Sequence, residues 1–256
     1  MLAFERFDPP SSSPDQPPLL IAHGLYGSGR NWRVIARRLA DARPVVTVDM
    51  RNHGESPRFD RHGYPEMAAD LAEVIAAQGG LCDVCGHSMG GKAAMALALL
   101  HPKSLRRLIV ADIAPVAYRH TQQQFIDAMR AVDLSVVTRR SEAEEQLAAA
   151  GVEPALRSFF TQSLDLANRR WRLNLDTLEQ EMDRIVGWPD DITGRFDGPS
   201  LFLTGAESDY VLPEHREIIK PLFPQARFAK LPGAGHWLHA DRPRAFEEAL
   251  RVFLSA

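Results

Sequence analysis

The chain has 256 residues, of which 45% are hydrophobic and 25% charged, with a formal net charge of −3. The apolar fraction excludes a disordered chain, and the length suits one large α/β domain. The near-neutral balance announces no basic face for nucleic acid, and the arginines, which far outnumber the four lysines Lys92, Lys103, Lys220 and Lys230, are spread along the chain as surface charge.

Met1–Phe7 runs straight into Asp8 and a Pro/Ser segment rather than into an apolar core, so no secretory leader is expected. No stretch approaches ~18 uninterrupted apolar residues, so no membrane span is expected either. Two cysteines cannot build a disulfide framework, and free thiols suit a reducing compartment. The expectation is a cytoplasmic protein.

Residues 2–7 alternate in the manner of a short strand, and the proline-rich residues 8–18 form a loop. Leu19-Leu20-Ile21-Ala22 is an apolar run typical of a strand buried on both faces. Asn31 to Ala40 puts Trp32, Ile35, Ala36 and Leu39 on one helical face, with Asn31 as its N-cap. A second buried strand covers Val45-Val46-Thr47-Val48, and Pro65 opens a helix to about Gln78. Cys82–Cys85 reads as a strand, and a helix runs from Ser88 to His101, where Pro102 stops it. Leu108–Ala111 is the next strand and ends at Asp112. This alternation predicts a parallel sheet with right-handed crossovers and helices on both faces.

From Tyr118 to Phe196 the strand pattern stops, and helices are predicted at about 122–133, 141–150, 153–164 and 175–187. Strands resume at Ser200–Thr204 and Ala226–Leu231, with helices near 213–222 and over Arg242–Leu254. The domain division is therefore a core of residues 1–116 and 197–256, interrupted by a helical cap at 117–196. The cap's apolar residues, among them Phe125, Met129, Phe159, Phe160, Trp171, Leu175 and Leu178, are expected mostly to form a core of their own, a few of them facing Ser88.

Gly86-His87-Ser88-Met89-Gly90 fits G-x-S-x-G between a strand and an Ala-rich helix. That setting puts a serine on a tight turn with its hydroxyl exposed at the carboxyl end of the sheet. It also puts the Met89 N–H at a helix N-terminus, where it can donate to an oxyanion. Gly86-x-x-x-x-Gly91-Lys92 overlaps it as a near match to a phosphate-binding loop, but Ala93 replaces the required Ser or Thr. His23-Gly24-Leu25-Tyr26-Gly27 ends an early strand and offers the Leu25 N–H as a second oxyanion donor. Gly233-Ala234-Gly235-His236-Trp237 places a histidine on a Gly-rich loop before the last helix, where a general base is needed. His87 flanks the nucleophile, His239 reads as a supporting hydrogen-bonder, and His53 as structural. Two aspartates satisfy the chain order Ser…Asp…His. Asp209 follows the strand at 200–204, one place later than the usual spacing from Gly205, and Asp112 follows the strand before the insertion. Cys82 and Cys85, three apart on a strand, point to opposite faces and cannot share an ion or a disulfide. No metal-ligand spacing is present, so neither metal nor cofactor is expected.

The chain resembles the α/β-hydrolase superfamily, and within it the YbfF-type esterases. The segments that carry the resemblance are HGLYGSGRNW, TVDMRNHGESP, CGHSMGGKAAMALAL, VADIAPV and GAGHWLHADRP. It covers nearly the whole chain from about residue 19, apart from the divergent insertion. It implies an eight-stranded-type α/β-hydrolase fold, and places the acid on the D-I-x-P segment at Asp112, with Asp209 as the alternative. The implied enzyme is a serine carboxylesterase with a Ser88–Asp112–His236 triad, acting on a small-molecule acyl ester or thioester. C–C bond hydrolases, lactonases and perhydrolases use the same triad, and hydrolase-fold receptors can retain it.

Overall fold

A computed structural model describes residues 1–10, 16–119 and 121–256. The middle of the expected 8–18 loop, residues 11–15, lies outside the described residues. In chain order the elements begin β1 (Phe4–Phe7), β2 (Leu19–Ala22), α1 (Arg33–Leu39), β3 (Val45–Val48), α2 (Tyr64–Ala77), β4 (Cys82–His87), α3 (Met89–Leu100) and β5 (Leu105–Ala111). The insertion carries α4 (Gln123–Arg130), α5 (Arg140–Ala149), α6 (Pro154–Thr161), β6 (Leu164–Asp165), β7 (Arg170–Trp171), α7 (Leu175–Gln180) and α8 (Met182–Val186). The chain then returns through β8 (Ser200–Gly205), α9 (His215–Leu222), β9 (Ala226–Leu231), α10 (Leu238–Asp241) and α11 (Pro243–Ser255). Among the described residues no helix is long and apolar enough to cross a membrane.

Seven strands form one sheet in the order β1-β3-β2-β4-β5-β8-β9, one fewer than the eight-stranded type expected. Only β1 is antiparallel to its neighbour, pairing Phe4 with Val48 through Phe7 with Val45. The apolar runs become strands because helices cover both faces: β2, β3, β4 and β8 are buried along their whole length. One core cluster joins residues of α2 and α3, such as Leu71 and Met95, to Val84 of the sheet. The other joins Trp32, Ile35 and Leu39 to Ile109, Phe246 and Leu250 on the opposite face. β4 divides between them, with Cys82 in the first cluster and Cys85 in the second.

The first turn of the 31–40 segment differs from expectation. A 3-10 turn over Gly29–Trp32 precedes α1, and Asn31 caps from within it, its Oδ1 accepting the Ser28 N–H at 2.7 Å. The insertion also differs. It is not all helix, because β6 and β7 form a two-stranded hairpin, and Leu173 bridges to His53 of the core. The expected 175–187 helix breaks at Glu181, whose carboxylate accepts the His62 N–H at 3.1 Å. Nor does the insertion keep a separate core: Ile126, Met129, Phe160, Trp171 and Leu178 belong to the same cluster as α2 and α3. Packing on α2 and α3 buries these side chains as part of the sheet's own core.

At the amino edge of the sheet Asp83, fully buried, is gripped by Arg43 and by Arg106. At the carboxyl edge the loops after β2, β4, β5, β8 and β9 converge, the usual position for a ligand crevice in an open α/β sheet.

Candidate active site

Ser88 joins β4 to α3 with φ 52° and ψ −121°, a conformation that costs an L-residue about 1–3 kcal/mol. The turn closes only because glycines flank it. A Cβ on Gly86 would lie 2.1 Å from the Gly90 carbonyl oxygen, and one on Gly90 would lie 2.4 Å from that of Ala22. The phosphate-loop reading of the same glycines fails on this geometry, since the Gly90 backbone packs on β2 and Lys92 Nζ is spent on the Val186 and Gly187 carbonyls.

Ser88, His236 and Asp112 stand in line. The Ser88 hydroxyl lies 3.1 Å from His236 Nε2, to which it can donate. His236 Nδ1 lies 2.8 Å from Asp112 Oδ2. Asp112 is fully buried, and its carboxylate also accepts the Gly205 N–H at 3.0 Å and the Ser208 hydroxyl. The Asp112 backbone holds φ 53°, anchored by its N–H donating to Leu203 O at 2.9 Å. Asp209, the alternative acid, is exposed. The physical reason is one residue of register. Ser208 turns inward and donates to Asp112, whereas Asp209, the next residue, is exposed.

His236 is held from three sides. Its ring stacks on Tyr210 at 3.7 Å and 16°. His87 Nε2–H donates to the His236 carbonyl at 2.9 Å. Gly235 N–H donates to Asp241 at 2.8 Å. Tyr210, Ser208 and the backbone role of His87 were not legible in the sequence, although the offset of Asp209 from the usual spacing marked Ser208. His239 differs from expectation: it stacks on Trp32 at 4.2 Å, and its buried Nδ1 has no hydrogen-bond partner among the described residues. It is a packing residue, and burial drives its pKa down to about 3.

The loop after β2 is built around two further buried histidines. His23 Nε2 accepts the Met50 N–H at 2.9 Å, which leaves its Nδ1–H to donate to Gly24 O at 2.7 Å. That carbonyl belongs to the peptide unit whose N–H is Leu25's, and in a trans peptide the two point opposite ways. His53 Nε2 accepts the Tyr26 N–H at 3.1 Å and its Nδ1–H donates to Arg51 O at 2.8 Å. Burial holds both rings neutral, with pKa values lowered to about 4 for His23 and about 3 for His53. His53 is structural, as expected.

Leu25, Met89 and Ser88 line one cavity of about 90 Å³. Phe125, Phe159 and Phe160 of the insertion face it as expected, while Met129, Trp171 and Leu178 are buried behind. Leu156, Ile185 and Val186 join the lining. No cluster of three or more His, Cys, Asp or Glu side chains among the described residues is arranged to hold a metal ion.

A serine on a strained strand-to-helix turn, within reach of a carboxylate-bound histidine, is the equipment of a nucleophilic hydrolase. Residues 17–243 match the family described as alpha/beta hydrolase fold, and the chain belongs to it. Its relatives include Esterase YbfF of Escherichia coli, 38% identical over 93% of each chain. The sn-1-specific diacylglycerol lipase ABHD11 of Mus musculus is 40% identical over 93% of this chain and 81% of the relative. A solved structure titled "Marine microorganism esterase" superposes with a TM-score of 0.91 at 38% identity, covering 98% of both chains. The chain is thus an α/β-hydrolase enzyme of the YbfF esterase type.

Proposed function

We propose that the protein cleaves carboxylic esters through an acyl-enzyme on Ser88. The in-line Ser88–His236–Asp112 hydrogen bonds, opening on an apolar cavity, carry this reading. His236 Nε2 takes the Ser88 proton as Oγ bonds to the ester carbonyl carbon. The N–H groups of Leu25 and Met89 receive the oxyanion, each worth roughly 2.7–4 kcal/mol in the transition state. The tetrahedral intermediate collapses, the C–O bond to the alcohol breaks, and His236 returns its proton to the leaving oxygen. Water then repeats the sequence on the acyl-enzyme and releases the acid. Asp112 keeps the proton on Nδ1 and stabilises the imidazolium. A thioester follows the same path with a thiol as leaving group.

The segment 117–196 acts as the cap that selects the acyl group. The support is its share of the cavity wall and its bonds to the core, such as Asn31 Nδ2 to Gln162 at 2.6 Å and Ser163 Oγ to Tyr26 O at 3.2 Å. The relatives named esterase and lipase support ester substrates.

The test is a p-nitrophenyl ester series from acetate to decanoate with Ser88→Ala as control. Hydrolysis lost in Ser88→Ala supports the reading. Absence of Ser88-dependent hydrolysis at every chain length overturns it, in favour of a hydrolase-fold ligand receptor or of another reaction such as C–C bond or lactone hydrolysis.

A further inference from the structure

Lys92 is a buried ionisable group that the reaction leaves idle. It stands one turn after Ser88 on α3, is 1% exposed, and has no acidic partner among the described residues. Removing an ammonium from water is costly without compensation, and burial lowers its pKa to about 7. What holds it is the end of α8. Lys92 Nζ donates to Val186 O at 2.9 Å and to Gly187 O at 2.6 Å. The faces of Tyr118 and Tyr64 lie 4.7 and 5.6 Å from the ammonium.

The same segment is also gripped from α2 and from the chain between β5 and α4. Tyr64 Oη donates to Ile185 O at 2.5 Å, and the Tyr118 N–H donates to Val186 O at 2.9 Å. Three consecutive carbonyls, those a helix end leaves without partners, are therefore all engaged by the core. α8 has five residues, too few to hold its own position. Ile185 and Val186 are also wall residues of the cavity that contains Ser88.

We infer that Lys92, assisted by Tyr64, is a specificity-determining strut: it fixes the Ile185–Gly187 wall and so restricts the cavity to short, uncharged acyl chains. The inference rests on the reading of that cavity as the acyl site. Lys92 touches no reacting atom and acts through the wall.

The experiment compares kcat/KM for p-nitrophenyl butyrate and decanoate in wild type, Lys92→Met and Tyr64→Phe. Methionine fills the lysine volume without donors or charge, and phenylalanine removes only the hydroxyl. Active-site titration with a fluorophosphonate normalises each preparation to its reactive Ser88. The butyrate-to-decanoate ratio is expected to fall about tenfold in Lys92→Met, in the range that pocket changes of one or two methylenes produce. Tyr64→Phe is expected to move it the same way by less. An unchanged ratio, with both rates falling together, reduces Lys92 to packing and overturns the strut. If Lys92→Met does not fold, Tyr64→Phe decides by the same ratio. A wild type without Ser88-dependent hydrolysis fails earlier and overturns the ester-cleaving reading as well.

Discussion

Asp112 receives three hydrogen bonds at one buried carboxylate, whereas Asp209 is exposed in the loop beside it. Asp112→Asn is expected to lower kcat by about 10⁴-fold, because the amide stabilises the wrong imidazole tautomer. Asp209→Asn should leave steady-state hydrolysis of p-nitrophenyl acetate unchanged; the reverse pattern would transfer the acid to Asp209. His23 makes a separate case. Its bond to Gly24 O sets the direction of the Leu25 N–H, so His23→Ala should cost up to roughly 10²-fold in kcat with little change in KM. A rise in KM alone would show that His23 serves binding rather than the oxyanion. Spacing in the sequence slightly favours Asp209, and it is the family resemblance that points to Asp112. The partners that distinguish Asp112 from Asp209 in the fold, Gly205 N–H and Ser208 Oγ, are brought to it by the pairing of β5 with β8 across a long insertion.

At the scale of elements, the legible parts were those with strong local pattern. β2, β3, β5 and β8 are apolar runs, and α2 and α3 are bounded by Pro65, Ser88 and Pro102. The hairpin β6–β7 was not legible because two-residue strands carry no period, and the break at Glu181 answers a bond to His62 made far along the chain. The amino edge of the sheet offers an element-level test. Asp83 on β4 binds Arg106 of β5 and Arg43, two residues before β3. Asp83→Asn leaves two guanidiniums short of their counter-ion and should cost about 3–5 kcal/mol, read as a lower urea midpoint. The ends of β4 are far apart in role, so kcat of the folded fraction should stay close to wild type. A stability change within error would show that the arginines find other partners.

At the scale of the molecule, five histidines among the described residues are buried with lowered pKa values: His23 at about 4, His53 and His239 at about 3, and His62 and His87 well below the ordinary value. Desolvation is the largest cause in each. The unfolded chain takes up these protons near pH 6.5, and the native state does not. The stabilisation is complete above that pH and is lost as pH falls toward the native values, at up to about 1.4 kcal/mol per pH unit for each ring. Urea midpoints should therefore drop steeply from pH 6.5 to 4. His239→Phe, which keeps a ring against Trp32, should flatten the slope, and an unaltered slope would show that His239 takes its proton in both states. The division of β4 between two cores has one more consequence. Cys82 and Cys85 are free thiols pushed up to about 12 by burial, one under α2 and α3, the other under α1 and α11. Each becomes reactive toward a disulfide reagent only when its own layer opens. Site-resolved modification rates on the native protein thus time the detachment of the two helical layers separately, with no label to engineer.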